Sequence, residues 1–107
     1  MNQVIQQITR EYKKALQDIY GDELVELVLF GSYARDDHHE ESDVDLAIVL
    51  HDSHSRSLDD QKITARLDSR FSLKYGLTLS SLVTSYHKKQ TSAQGVYQEI
   101  RKDGIRI

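Results

Sequence analysis

The chain has 107 residues, 38% of them hydrophobic and 29% charged, no cysteine, and a formal net charge of −3. That is the size of one domain, here 1–107, able to bury about two thirds of its unfolded surface without staples. Disulfides, zinc–thiolate sites and thiol catalysis are excluded, and no apolar stretch approaches the roughly 20 residues that cross a bilayer.

The N-terminal "MNQVIQQITREYKK" has no basic region leading into an apolar core, so export is not expected and the cytoplasm is the expected compartment. Residues 4–19 read as an amphipathic helix with Ile5, Ile8, Tyr12, Leu16 and Ile19 on one stripe. Gly21 follows, where a left-handed cap is cheapest. "LVELVLF" (Leu24–Phe30) and "DVDLAIVL" (Asp43–Leu50) are nearly continuous apolar runs, the pattern of strands covered on both faces. Ser57 and Asp60 fit a capping box opening a helix over Leu58–Tyr75, with Ile63, Leu67 and Phe71 in one row and Gly76 as terminator. "LTLSSLVTS" (Leu77–Ser85) reads as a third strand, Ala93–Lys102 as a helix ended by Gly104, and the final "IRI" as extended. This order predicts an α/β (α+β) sandwich: a small mixed sheet of three or four strands against about four helices.

Charge is unevenly placed. Six carboxylates and no basic residue lie between Asp36 and Asp45, and without them the chain carries 14 basic against 11 acidic residues. Acidity is therefore local, and the chain lacks the concentrated basic face that duplex nucleic acid usually requires, so no direct nucleic-acid partner is expected.

Asp43 and Asp45 stand two positions apart on a strand, so their side chains leave the same face about 6.6 Å apart at the backbone. Two such carboxylates beside a core repel each other unless a cation lies between them. Oxygen ligands without thiolate suit a hard ion, Mg²⁺ or Mn²⁺, and the pair could span two metals about 4 Å apart in phosphoryl-type transfer. At the other end of the loop, Gly31 lets the backbone approach a phosphate. Ser32 adds a hydroxyl and opens a short helix, Ser32–Asp36, whose free N–H groups face an anion; Arg35 can neutralise a phosphate tail. Gly-Ser alone is a common turn and Asp-x-Asp alone a common solvated strand edge. Their ordered combination at the ends of two apolar strands is much rarer, and it is the layout of a nucleoside triphosphate site.

Gly31-Ser32, ten residues (33–42), then Asp43-Val44-Asp45 resembles the G-S-x10-D-x-D signature of the DNA polymerase β-like nucleotidyltransferases. The small size and "FGSYAR…SDVDLAIV" are similar to the minimal nucleotidyltransferases, usually encoded beside a HEPN-domain protein as antitoxin and toxin. The resemblance implies transfer of a nucleoside monophosphate from an NTP to an acceptor hydroxyl, with Mg²⁺ and release of pyrophosphate. In the antitoxin members the donor is ATP and the acceptor a tyrosine of the HEPN ribonuclease, which AMPylation silences. By this resemblance Asp43, Asp45 and Ser32 are the candidate catalytic residues, Gly31, Ser32 and Arg35 bind the nucleotide, and Asp43 and Asp45 hold the metal.

One departure bears on turnover. Family members usually carry a third carboxylate on the next strand, as in V-D-L-V, where this chain offers Ser80 or Ser81. A serine, whose pKa is far above neutrality, cannot serve as general base. The chain then transfers slowly with two ligands, borrows a group from its partner or from Asp59, Asp60 or Asp68, or only binds, whether to sense nucleotide or to mask its partner. A free-standing transferase acting on a small molecule is a third reading, disfavoured because such relatives carry a further helical domain.

Four other features read as ordinary surface or core. "DDHHEE" (Asp36–Glu41) is expected to be a solvated loop rather than a second metal site, and His51 with His54 a polar connector. "YHKKQ" (Tyr86–Gln90) is expected to be solvated surface. Tyr33 either stacks on a base or covers the sheet end.

Overall fold

The computed structural model describes residues 1–55 and 57–107. The N-terminal stripe folds into α1 (Gln3–Tyr20), whose first turn is capped by the Asn2 side chain accepting from the Ile5 N–H at 2.8 Å. Ile5, Ile8, Tyr12 and Leu16 are buried as expected, but Ile19 is 45% exposed and Tyr20 takes its place. The cause is helical pitch: successive four-residue steps from Ile8 reach Tyr12, Leu16 and then Tyr20. A 3-10 turn over Gly21–Glu23 leads to β1 (Leu24–Phe30), α2 (Gly31–Arg35), β2 (Val44–Leu50) and α3 (Leu58–Tyr75). Then come β3 (Leu79–Ser85), α4 (Tyr86–Thr91), α5 (Gly95–Asp103) and β4 (Ile105–Arg106). Helix α4 is an addition to the sequence expectation, a six-residue polar segment opened by the Ser85 side chain accepting from the Lys88 N–H.

The sheet is mixed, in the order β3-β2-β1-β4. β1 runs antiparallel to both β2 and β4, and β2 parallel to β3. β1 and β2 are the interior strands, so their runs are covered on both sides. Leu27, Leu29, Val44, Leu46, Ile48 and Leu50 pack against α1 and α3 through Tyr12, Leu16, Leu67 and Phe71. Val28, Phe30, Ala47 and Val49 form the other face, covered by Tyr97 and Ile100 of α5. Each buried aliphatic or aromatic side chain of this kind contributes about 1.5–3 kcal/mol over leaving it exposed.

The ends are closed by local chemistry. Ser57 and Asp60 form the capping box of α3, with the Ser57 N–H donating to Asp60 at 3.0 Å, and Gly76 ends the helix in the left-handed region (φ 69°, ψ 21°). Gly104 ends α5 for a different reason. Its backbone is extended, and a Cβ there would run into the Ile100 carbonyl and the Val28 side chain, so glycine lets α5 lie close to β1. Among the described residues no helix is long and apolar enough to cross a membrane.

Candidate active site

The site begins with strand register. Phe30, the last residue of β1, pairs with Asp45 of β2, so the next residue in the chain turns directly beside that carboxylate. It is Gly31, at φ +74°, where an added Cβ would be driven into the Asp45 carboxylate. Both the backbone angle and the space demand glycine. The turn continues as α2, one residue earlier than the Ser32–Asp36 span expected, and ends at Asp36 in the left-handed region (φ 61°, ψ 32°). The Asp37 N–H donates to the Ser32 carbonyl at 3.0 Å. Phe30 precedes the helix without a side-chain cap, so the first N–H groups of α2, at Gly31 and Ser32, are not satisfied by a capping side chain.

Asp43 lies just before β2 and is exposed; Asp45 is half-buried. Asp45 shares its face with Ala47 and Val49, the side covered by α5. Burial, then the charge of Asp43, then that of Glu99 push the Asp45 carboxyl above its ordinary value, with Arg35 opposing. The site is thus short of positive charge. Among the described residues no group of three or more His, Cys, Asp or Glu side chains could hold a metal by itself. A two-carboxylate site still fits Mg²⁺ or Mn²⁺, because such ions are commonly held by one or two carboxylates with phosphate oxygens and water filling the remaining positions.

The third-acid position can be read from the parallel pairing. Asp45 pairs with Ser80, so Ser80 shares its face and is the residue that stands at the position where the resemblance leads to an expected third acid. Ser81 points to the opposite side and donates to Asp68 at 2.6 Å. The expectation that Asp59, Asp60 or Asp68 might lend a carboxylate is overturned. All three belong to α3, which packs on the other face of the sheet. Asp60 is bound to Tyr20 at 2.6 Å and to His54 at 3.1 Å, and Asp68 to Tyr12 at 2.7 Å. A cavity of about 780 Å³ lined by Asp60, Asp68 and Ser81 lies on that side, away from the Asp43–Asp45 pair.

Arg35 stands at the end of α2, but it is not free. Its Nη1 donates to Glu99 Oε1 at 2.7 Å and lies 3.8 Å from Asp103 Oδ2, and its Nε donates to Asp37 at 3.1 Å. Glu99 and Asp103 were not singled out in the sequence. Their four-residue spacing on α5 marks a shared helix face, but nothing local says that this face meets Arg35, 64 positions away. Tyr33 resolves toward the sheet end: it is buried in the core and stacks on His38, ring centroids 4.1 Å apart. The His54 N–H donates to the His51 carbonyl at 2.9 Å, but their side chains have separate partners: His51 contacts Ser53, and His54 bridges Glu23 and Asp60.

With this geometry in place, comparison with known proteins decides the family. The model of the nucleotidyltransferase domain matches residues 9–105, spanning Gly31-Ser32 and both aspartates. The chain belongs to the nucleotidyltransferase domain family. Among its relatives is "Putative protein adenylyltransferase MJ0141" of Methanocaldococcus jannaschii, 34% identical over 101 residues, covering 94% of this chain and 96% of the relative. Two solved structures share the fold. One is a toxin-antitoxin with AMP-PNP (TM-score 0.63, 16% identity, 90% of this chain and 69% of that one). The other, "Structure of putative minimal nucleotidyltransferase", aligns with TM-score 0.62 at 23% identity over 100% of this chain and 97% of its own. The resemblance to the nucleotidyltransferases is therefore correct. In this nucleotidyltransferase domain the loop between β1 and β2 carries the signature, and α5 closes the same side of the sheet.

Proposed function

We propose that the chain is a metal-dependent protein adenylyltransferase that moves AMP from ATP to a hydroxyl of a HEPN-type toxin and acts as its antitoxin. The observation that carries the reading is the apposition of Gly31 and Asp45, which sets the anion-holding turn against the carboxylate pair. Asp43 and Asp45 would hold Mg²⁺ or Mn²⁺, and that ion, when bound, neutralises charge developing on the transferred phosphate. The N–H groups of Gly31 and Ser32 and the Ser32 hydroxyl bind the triphosphate. Arg35 supplies charge to it once it leaves its carboxylate partners. In the transfer the acceptor oxygen bonds the α-phosphorus and gives up its proton to solvent, the bond from that phosphorus to the α–β bridging oxygen breaks, and pyrophosphate departs. The adenylyltransferase relative and the toxin-antitoxin neighbour support this choice of substrate class and partner.

A contact-only antitoxin is the second reading, favoured by Ser80 standing where the third acid belongs. Incubation with labelled ATP, Mg²⁺ and a candidate HEPN-type toxin separates the two. Label on the toxin that vanishes in Asp43→Asn and Asp45→Asn is the expected result. Full toxin inhibition by both variants with no label moved would establish masking instead.

A further inference from the structure

Positive charge, scarce around Asp45, collects on the far side of α5. A small cavity of about 220 Å³ opens beside β4, with Lys89, Arg101 and Arg106 in its wall together with Val28 and Gly104. Contacts tie the three cations to one another. Lys89 Nζ donates to Glu26 Oε1, and Arg106 Nε lies 3.4 Å from Glu26 Oε2. Arg101 Nη1 donates to the Lys89 carbonyl and its Nη2 to the Ser92 carbonyl, each at 2.7 Å. Two cations thus share one buried carboxylate, and the third is bound only to neutral carbonyls. Those carbonyls fix the Arg101 guanidinium, which is always protonated, while occupying only two of its five donors. The cluster therefore carries a formal surplus of two positive charges, three cations against Glu26.

The acids of α5 do not cancel it. A helix turns about 100° per residue, so Arg101 leaves α5 about 200° from both Glu99 and Asp103, which face Arg35. Among the described residues that line the cavity there is no acid. We propose that this cavity is a binding site for a small phosphate anion, held by Arg101, Arg106 and Lys89 and distinct from the Asp43–Asp45 site. Charge selects the class: a phosphate group carries about −1.5 to −2 near pH 7, close to the surplus, whereas a carboxylate leaves half of it uncompensated. Size agrees, since sites for drug-sized ligands run from about 300 to 1,000 Å³ and this one is smaller. Guanidinium groups bond phosphate oxygens in pairs, and the Arg106 side chain, 73% exposed, is open to such an ion.

The test titrates the full chain with inorganic phosphate in EDTA at constant ionic strength, followed by amide chemical shifts and calorimetry. The Lys89, Gly104 and Arg106 amides are expected to shift saturably, ahead of those of Gly31 and Ser32. Pyrophosphate in a parallel titration separates a product of the transfer from the free ion: whichever saturates the same amides at lower concentration is the ligand. Arg101→Gln and Arg106→Gln should each weaken binding about tenfold or more, as for loss of a charge-assisted hydrogen bond, and Arg35→Gln should leave it unchanged. Arg101→Lys, which keeps the charge, should retain more affinity than Arg101→Gln, which separates loss of the anion contact from a loosened end of α4. Shifts at Gly31 and Ser32 in place of the cavity amides, loss of binding in Arg35→Gln alone, or equal shifts with chloride at the same ionic strength would overturn the proposal.

Discussion

Replacing Gly31 by alanine probes the contact on which the site is built. Two costs add. An L-residue in the left-handed region costs about 1–2 kcal/mol, and at φ +74° alanine meets that in full. The new Cβ also enters space held by the Asp45 carboxylate, and forcing extra volume into a packed site costs about 1–3 kcal/mol. Gly76 provides the reference: its φ is +69° and nothing lies within 4 Å of an added Cβ, so Gly76→Ala reports the backbone cost alone. Gly31→Ala is therefore expected to lose about 2–5 kcal/mol, which at about 4–8 °C per kcal/mol for a domain near this size lowers Tm by roughly 8–40 °C. Urea denaturation followed by circular dichroism measures it. The decisive step is the double variant with Asp45→Ala, which removes the carboxylate and should return the cost to the Gly76→Ala value. Additivity of the two substitutions within about 0.5 kcal/mol would refute the claim that Gly31 is fitted to Asp45.

Asp45→Asn should stabilise the metal-free protein at pH 7. The folded-state pKa of Asp45 is raised above its ordinary 3.8, so its contribution is present below that value and lost as pH rises past it; thermal melts should show the difference closing below pH 3.8, and Mg²⁺ should raise the Tm of wild type but not of the variant. Ser80→Asp, on the face of Asp45, should increase Mn²⁺ affinity in isothermal titration, whereas Ser81→Asp, against Asp68, should only destabilise. Tyr12→Phe removes the donor to Asp68 and should cost about 1–3 kcal/mol in urea denaturation. The same change should push the Asp68 carboxyl, already raised by burial against the hydrogen bonds of Ser81 and Tyr12, higher still in a carbon-13 titration.

The legible parts of this protein are those whose physics is local. The four-residue stripe of α1, the two apolar runs, the Ser57–Asp60 box and Gly76 each depend on neighbours within a few positions, and each formed where its pattern placed it except at the last turn of α1, where Tyr20 is buried in place of Ile19. The β1–β2 hairpin was equally readable, since its two strands are adjacent in sequence and the Gly31-Ser32 and Asp43–Asp45 groups mark its ends. What required the tertiary structure was pairing across distance. Strand β3 could have presented Ser80 or Ser81 to Asp45, because a shift of one residue exchanges the faces, and only the parallel register selects Ser80. The same is true of Glu26, buried on an interior strand where Lys89 from α4 and Arg106 from β4 neutralise it. Arg35 read locally as a free cation. Its binding to Glu99 and Asp103 exists because α5 packs back over α2, and no periodicity within either segment encodes which distant helix will close over which loop.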